Sequence, residues 1–254
     1  NLKKKLYLNP ELYLGEAYVD GDITIEHGDL ETFINIISKN YNYIKKDFTH
    51  HILDFFNLIA EFFQRGNLLD ISKKNVSHHY DINEEIYKLF LDKDMQYSCA
   101  YFHNENISLD QAQIDKKNHL IKKLNINKDN MKVLDIGSGW GGTALQIAKD
   151  TGAYVKGVTL SDNQYATSKR RAKELKLDSI VDFNLIDYRN LKEKFDRIIS
   201  VGMFEHVGKK EYQNFFRKIY DLLTDDGVFV LHTIGTMHPP SSTNPWIKKY
   251  IFPG

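Results

Sequence analysis

Asp135, Gly137, Gly139 and Gly142 stand in the segment VLDIGSGWGG (133–142), where an apolar strand pattern runs into a glycine-dense turn ahead of the helical pattern TALQIAKD. Glycines spaced G-x-G-x-x-G let a backbone turn tightly and lay N–H groups and a helix N-terminus against a ligand, which is how a nucleotide-like cofactor is held. A dinucleotide would also call for an acid about 20 residues further on to hold a ribose hydroxyl. Gly157, Val158, Thr159 and Leu160 occupy that place, with no carboxylate before Asp162, which weakens the dinucleotide reading without excluding it. Asp135 fits a different ligand. Its carboxylate can order the loop or meet an ammonium group, as a cofactor with an amino-acid tail and no pyrophosphate requires.

Three further residues carry reactive groups. Glu205 follows the apolar run FDRIISV closely and is itself followed by His206; His232 sits in the strand pattern FVLHTIG; Cys99 sits in YSCAY. Each has an ordinary reading as well. A cysteine among aromatics is usually a small buried hydrophobe, and a histidine in an apolar strand is usually a hydrogen-bonded core residue. Glu205 is the hardest of the three to assign to packing.

The elements that must position these groups follow from periodicity. Residues 126–234 alternate strand and helix: MKVLDI, then GTALQIAKD, YVKGVTL, SDNQYATSKRRAKEL with a Ser or Asp cap, IVDFNLID, FDRIISV, KKEYQNFFRKIYDLL, and GVFVLHTI after the turn Asp225-Asp226-Gly227. Apolar strands separated by amphipathic helices imply an α/β fold, a doubly wound, mostly parallel sheet covered on both faces. Ligands of such sheets bind beyond the carboxyl ends of the strands. Before residue 125 the pattern differs. LYLGEAYVDGDITIEHGDL reads as short strands, with Ile23 and Ile25 on one face, ending at Asp29 as the N-cap of LETFINIIS. HILDFFNLIAEFFQRG (51–66) reads as a helix whose polar stripe, Asp54, Asn57, Glu61 and Gln64, leaves an apolar face too wide for packing on one side. A wedge between domains explains that face; lipid or a partner subunit is the alternative.

Composition narrows the classes. With 34 basic and 34 acidic residues the chain has no net charge to draw in nucleic acid over long range, and no nucleic-acid motif is present. The pairs Lys116/Lys117, Lys122/Lys123, Lys209/Lys210 and Lys248/Lys249 read as solvated faces. Adjacent histidines at 50/51 and 78/79 do not converge, so no metal site is expected. The lone Cys99 suits a reducing compartment, and with no bilayer-spanning run or signal peptide the expectation is a cytoplasmic protein. Asn1 and Pro253-Gly254 read as cut ends of a longer chain.

The motifs LDIGSGWGG, TLSDNQ (159–164), IDYR (186–189) and ISVGMFEHVG (199–208), in that order, resemble those of S-adenosylmethionine-dependent methyltransferases, and more narrowly the cyclopropane-fatty-acyl-phospholipid synthase family. HHYDINEEIYKLFLDKDMQYSCAYF (78–102) is similar to the segment preceding the cofactor domain in that family. The resemblance implies a Rossmann-like class I methyltransferase domain over 76–254 and a smaller, partial N-terminal domain with a linker helix over 1–75. It implies S-adenosylmethionine as cofactor: Asp135, Gly137, Gly139 and Trp140 at its methionine part, and Tyr97 and Ser98 closing over it. Thr159, Leu160 and Gln164 match the ribose site, and Asp187, Tyr188 and Arg189 the adenine site.

The family's reaction carries a methyl group to a cis alkene carbon of an acyl chain and then removes a methyl proton so that a ring closes. Such a site must exclude water and hold a base. The resemblance implies a bicarbonate ion as that base, bound by Cys99, Glu205, His232 and the backbone of Ile234, with a further tyrosine beyond residue 254. Two anionic groups in contact need a shared proton or donors, which His232 can supply. The implied partner is phospholipid at the inner membrane face, with a homodimer possible; Tyr101, Phe102, Phe204, Trp246, Tyr250 and Phe252 are candidates to line an acyl tunnel. The alternatives are a methyltransferase of the same lineage acting on another acceptor, an alkene without ring closure or a small amine, and a nonenzymatic lipid-binding protein.

Overall fold

The structure, a computed structural model, describes residues 2–44, 84–128, 130–235, 237 and 244–251. The chain divides into two compact units, residues 1–65 with 237–253, and residues 66–236.

The larger unit is built on a sheet of five parallel strands in the order β3-β2-β1-β4-β5. These are β1 (Lys132–Ile136), β2 (Tyr154–Thr159), β3 (Val181–Leu185), β4 (Phe195–Val201) and β5 (Leu223–His232). β1 lies at the centre, and successive connections run to β2 on one side and β4 on the other. The strand ends beside β1 therefore form the switch point, where an open crevice must lie. Numbering the described helices in chain order, α4 (Glu84–Lys88) and α5 (Leu109–Leu124) precede the sheet, and α6 (Gly142–Thr151), α7 (Asp162–Glu174) and α8 (Tyr212–Leu222) cover it.

Both faces are packed, which is why the strands read as nearly continuous apolar runs. Val133, Val155, Ile199, Leu145 and Ile147 belong to one core cluster; Leu134, Ile136, Ile198, Phe215, Ile219 and Leu222 belong to the other. Phe215, Ile219 and Leu222 recur at i, i+4 and i+7 and give α8 its buried face. Local signals act as expected: Ser161 Oγ accepts from Gln164 N at 3.3 Å to cap α7, and Ser108 caps α5 in the same way. The Asp225-Asp226-Gly227 turn does not precede β5 but lies inside it. Pairing passes from Phe195↔Leu223 to Arg197↔Val228, so the intervening residues bulge out of the ladder.

The smaller unit is helical in its described part: α1 (Leu2–Leu8), α2 (Pro10–Val19), α3 (Leu30–Ile44) and α9 (Pro245–Tyr250). The strands expected over LYLGEAYVDGDITIEHGDL are therefore corrected. Asn9 accepts from Leu12 N at 3.2 Å with Pro10 in the first helical position, and this start signal overrides the alternation that follows. Ile23 and Ile25 lie in turns and irregular backbone. Asp29 does cap α3, accepting from Thr32 N at 2.8 Å. Glu16 receives Lys249 Nζ at 2.7 Å and Tyr250 Oη at 2.8 Å. The helix expected over 51–66 lies outside the described residues.

Candidate active site

A cavity opens at the carboxyl ends of β1, β2, β3 and β4. It is lined by Tyr97, Ser98, Asp135, Gly137, Gly139, Trp140, Thr159, Leu160, Gln164, Asp187, Tyr188 and Arg189, so every expected cofactor residue borders it. The glycine turn enters at φ +76° at Gly137, where a Cβ would come within 2.8 Å of Met203. Gly137 N and Ser138 N both donate to Val158 O, at 2.9 and 3.0 Å. Those two donors hold the turn to β2, so they are not the N–H groups that face a ligand.

Asp135 is the charged group of this turn. Paired in register with Gly157 and Ile199 on the flanking strands, it is 2% exposed, and its Oδ2 has no hydrogen-bond partner. Burial raises its carboxyl to about 7, against the opposing pull of Lys116. An unpartnered buried oxygen at a cavity wall is costly unless a donor meets it, and a ligand ammonium is such a donor. At the β2 end, Thr159 Oγ1 donates to Gln164 Oε1 at 3.0 Å, which leaves the Gln164 amide nitrogen for a ligand hydroxyl. At the β3 end, Arg189 grips both oxygens of Asp187, with Nε to Oδ1 at 2.9 Å and Nη2 to Oδ2 at 2.7 Å. Tyr188 packs edge-on against Phe215, and burial lifts its hydroxyl to about 12.

The segment 95–99 forms a strap over one side of this cavity, with Gln96, Tyr97 and Ser98 in its lining. Residues the sequence did not single out hold it. Gln113 Nε2 of α5 donates to Ser98 O at 2.9 Å, and one turn on, Lys116 Nζ donates to Ser98 Oγ at 2.7 Å and Gln96 Oε1 at 2.9 Å. Asp94 binds Lys117 at 2.5 Å and also Arg171, and these charges outweigh burial to hold its carboxyl low. Lys116 and Lys117 are 2% and 4% exposed, so the expectation of a solvated pair is corrected. Their charge is accommodated by side chains distant in sequence. At Gly142 a Cβ would clash with Asp94 Oδ2 and Gln96 Nε2, so the third glycine of the G-x-G-x-x-G pattern makes room for the strap.

The expected base residues border this region without lining the cavity. Glu205 lies in a short 3₁₀ turn (Phe204–His206) after β4 and accepts from Ile234 N at 2.7 Å through Oε1. Its Oε2 and His232 Nδ1 are buried without a partner. Burial, then the Lys116 charge, lowers the His232 pKa, and Glu205 opposes both. Cys99 follows the strap and is exposed, not the buried hydrophobe of its ordinary reading. The structure thus joins Glu205 to Ile234 by a hydrogen bond and to His232 by charge, and among the described residues shows no contact that brings Cys99 to them. The Ile234 N–H is already engaged by Glu205. The candidate tunnel residues take packing roles: Phe204 stacks on Tyr212, Tyr101 on His119, and Trp246 packs with Tyr250. Phe102 is exposed, and Phe252 lies outside the described residues. No cluster able to hold a metal ion occurs among the described residues.

The fold has the Rossmann-like α/β architecture of the class I methyltransferases. The sequence pattern of the mycolic acid cyclopropane synthetases matches residues 69–254, and the chain belongs to that family. It is 35% identical over 255 aligned positions to the cyclopropane-fatty-acyl-phospholipid synthase of Escherichia coli, covering 98% of this chain and 63% of the relative. The chain thus spans less than two thirds of that relative's length. Among solved structures, the cyclopropane synthase MmaA2 from Mycobacterium tuberculosis matches at TM-score 0.61 and 37% identity, over 63% of this chain and 56% of that one. The mycolic acid cyclopropane synthase CmaA1 complexed with SAH and CTAB matches at TM-score 0.63 and 35% identity, over 71% and 61%.

Proposed function

We propose that the protein uses S-adenosylmethionine to convert the cis double bond of an unsaturated phospholipid acyl chain into a cyclopropane. The observation that carries this reading is the conjunction of two sites: Asp135 with an unpartnered oxygen at the cavity wall, and the Glu205–His232 pair with unpartnered buried atoms beside it. A methyltransferase acting on an amine, or on an alkene without ring closure, needs the first and not the second.

Asp135 and the strap residues Tyr97 and Ser98 hold the amino-acid part of the cofactor, Thr159, Leu160 and Gln164 its ribose, and Asp187, Tyr188 and Arg189 its adenine, with Gly137, Gly139 and Trp140 forming the turn beneath. When bound, the cofactor supplies an electrophilic methyl group that an alkene carbon can accept. Ring closure then requires removal of a proton from the transferred methyl group, whose C–H electron pair forms the new bond to the cationic carbon. Glu205 Oε2 and His232 Nδ1 are an acceptor and a donor with their capacity unspent, which fits a bicarbonate ion that gives its O–H to the carboxylate and receives the imidazole N–H. Cys99 completes that anion site, and the Ile234 backbone serves it by holding Glu205 Oε1 in place. A base so held acts beside the new methyl group, where water would trap the cation.

The protein works at the inner membrane face, reaching its phospholipid from the cytoplasm. Among the described residues no helix is long and apolar enough to cross a membrane. Calorimetry with S-adenosylmethionine tests the first site, and lipid analysis of cells expressing the Glu205→Gln variant tests the second. Full ring formation by that variant would remove Glu205 from the mechanism.

A further inference from the structure

Lys116 has no chemical role in the reading above, yet it is among the buried polar residues of the described chain. It projects from α5 into a region where it is 2% exposed, and it donates to two side chains of the strap that line the cavity: Ser98 Oγ at 2.7 Å and Gln96 Oε1 at 2.9 Å. Gln96 Oε1 also accepts from Thr143 Oγ1 at 3.3 Å, in the first turn of α6 directly after the glycine turn. One ammonium group thus ties the strap on one side of the cavity to the helix that starts on the other. Structural lysines seldom accept such burial, because desolvating an ammonium is expensive unless several acceptors or a nearby anion offset it.

Its electrostatic neighbours are informative. Asp92, Asp94 and Cys99 favour the charged form of Lys116, and Lys117 disfavours it. Lys116 is in turn the opposing charge acting on Asp135, and it shares His232 with Glu205. The charge of Lys116 is therefore felt both by the carboxylate expected to meet the cofactor and by the histidine expected to hold the base.

We propose that Lys116 is a positioning residue of the cofactor site, which fixes the Ser98 hydroxyl and the Gln96 amide of the strap and supplies the positive charge that keeps the Asp135 carboxylate available to a ligand ammonium. This inference rests on the proposed cofactor reading. Lys116 does not touch the reacting atoms; it acts through Ser98, Gln96 and Asp135. Burial lowers its ammonium to about 8 and raises Asp135 to about 7, so both are in their binding forms only in a narrow window. Below that window Asp135 is protonated, and above it Lys116 is neutral.

The test uses S-adenosylhomocysteine, titrated calorimetrically into the folded full chain across pH 6 to 9, beside carboxyl-labelled aspartate NMR of the ligand-free protein. Wild type is expected to bind most tightly between pH 7 and 8 and to weaken on both sides. Lys116→Met, which keeps length and loses charge, is expected to bind at least tenfold more weakly at pH 7.5, with the Asp135 titration moved to higher pH and the alkaline step lost. Ser98→Ala, which keeps the charge, is expected to weaken binding less and to leave the Asp135 titration in place. A merely structural lysine would weaken binding without moving that titration. An unmoved Asp135 signal in Lys116→Met overturns the proposal. If that variant does not fold, wild-type affinity that stays flat from pH 7.5 to 9 overturns it instead. Failure of wild type to bind at any pH, with the Asp135 signal titrating normally, sinks the cofactor reading itself.

Discussion

Glu205 Oε1 accepts the backbone N–H of Ile234 at 2.7 Å, tying the turn after β4 to the chain leaving β5. The bond spends one carboxylate oxygen on position and leaves the other, Oε2, buried and unpartnered. A glutamate placed this way is oriented by the backbone and keeps one oxygen free to accept a proton from the anion it holds. That is the arrangement ring closure asks for, and a simple methyl transfer has no use for it.

Replacing Glu205 by Gln keeps size and the accepting oxygen but removes the proton acceptor. General-base contributions are about 10²- to 10⁴-fold, so cyclopropane formation should fall by that order. Because Glu205 does not line the cofactor cavity, affinity for S-adenosylhomocysteine should stay within about threefold of wild type, a factor worth well under 1.4 kcal/mol. Lipid mass spectrometry and calorimetry on the same preparation check the two halves.

Asp135→Asn should separate stability from binding. The carboxyl is raised in the folded chain from 3.8 to about 7 by burial, so folding favours its protonated form. That contribution is fully present below pH 4 and lost as pH rises through 7, at about 1.4 kcal/mol per pH unit. The asparagine variant escapes the loss. It should melt at a higher temperature than wild type at pH 8, with the difference shrinking as the pH falls toward 4, while cofactor affinity drops. A variant less stable at pH 8 would contradict the assignment of Asp135 as a buried, unpaired carboxylate.

Gly142→Ala places a methyl in clash with Asp94 Oδ2 and Gln96 Nε2. Overpacking of this kind costs about 1–3 kcal/mol. Thermal unfolding should show a lowered midpoint, and cofactor affinity should fall as the strap is pushed out. Gly152→Ala is the control: nothing lies within 4 Å of its Cβ, so only backbone strain at φ +68° is felt and affinity should hold.

His232 gives a pH prediction. Burial and Lys116 lower its pKa from 6.5, so the imidazole is neutral throughout the neutral range and charges only in more acidic solution. The His232 contribution to product formation should therefore be level from pH 7 to 8 and change only below pH 6.5. A rate profile for wild type beside His232→Gln shows it as the acid step that disappears in the variant.

Much of the site was legible because a doubly wound sheet puts ligand residues at strand ends, and TLSDNQ and IDYR mark those ends in one dimension. The glycine turn, the Ser161 cap and the α8 face at Phe215, Ile219 and Leu222 are local patterns of the same kind. The strap was not legible. Gln113 reaches Ser98 across 15 residues, Lys116 reaches Gln96 across 20 and Arg171 reaches Asp94 across 77, and burial of a lysine is settled by such partners rather than by its neighbours in sequence. The helix over Pro10–Val19 was missed because apolar alternation was weighed above the Asn9-Pro10 start. Which N–H groups of the glycine turn are left for a ligand was not legible either, because nothing local shows that Val158 O takes those of Gly137 and Ser138.

The central claim is that the methyl carbon ends in a ring. Cells expressing the full chain, fed methionine labelled with ¹³C in its methyl group, give lipids whose label can be located by NMR. The account predicts label in the methylene of a cyclopropane within phospholipid acyl chains, in species one CH₂ heavier than their unsaturated precursors, and its loss in Glu205→Gln. Label in a methyl branch, or in no lipid at all, would contradict it.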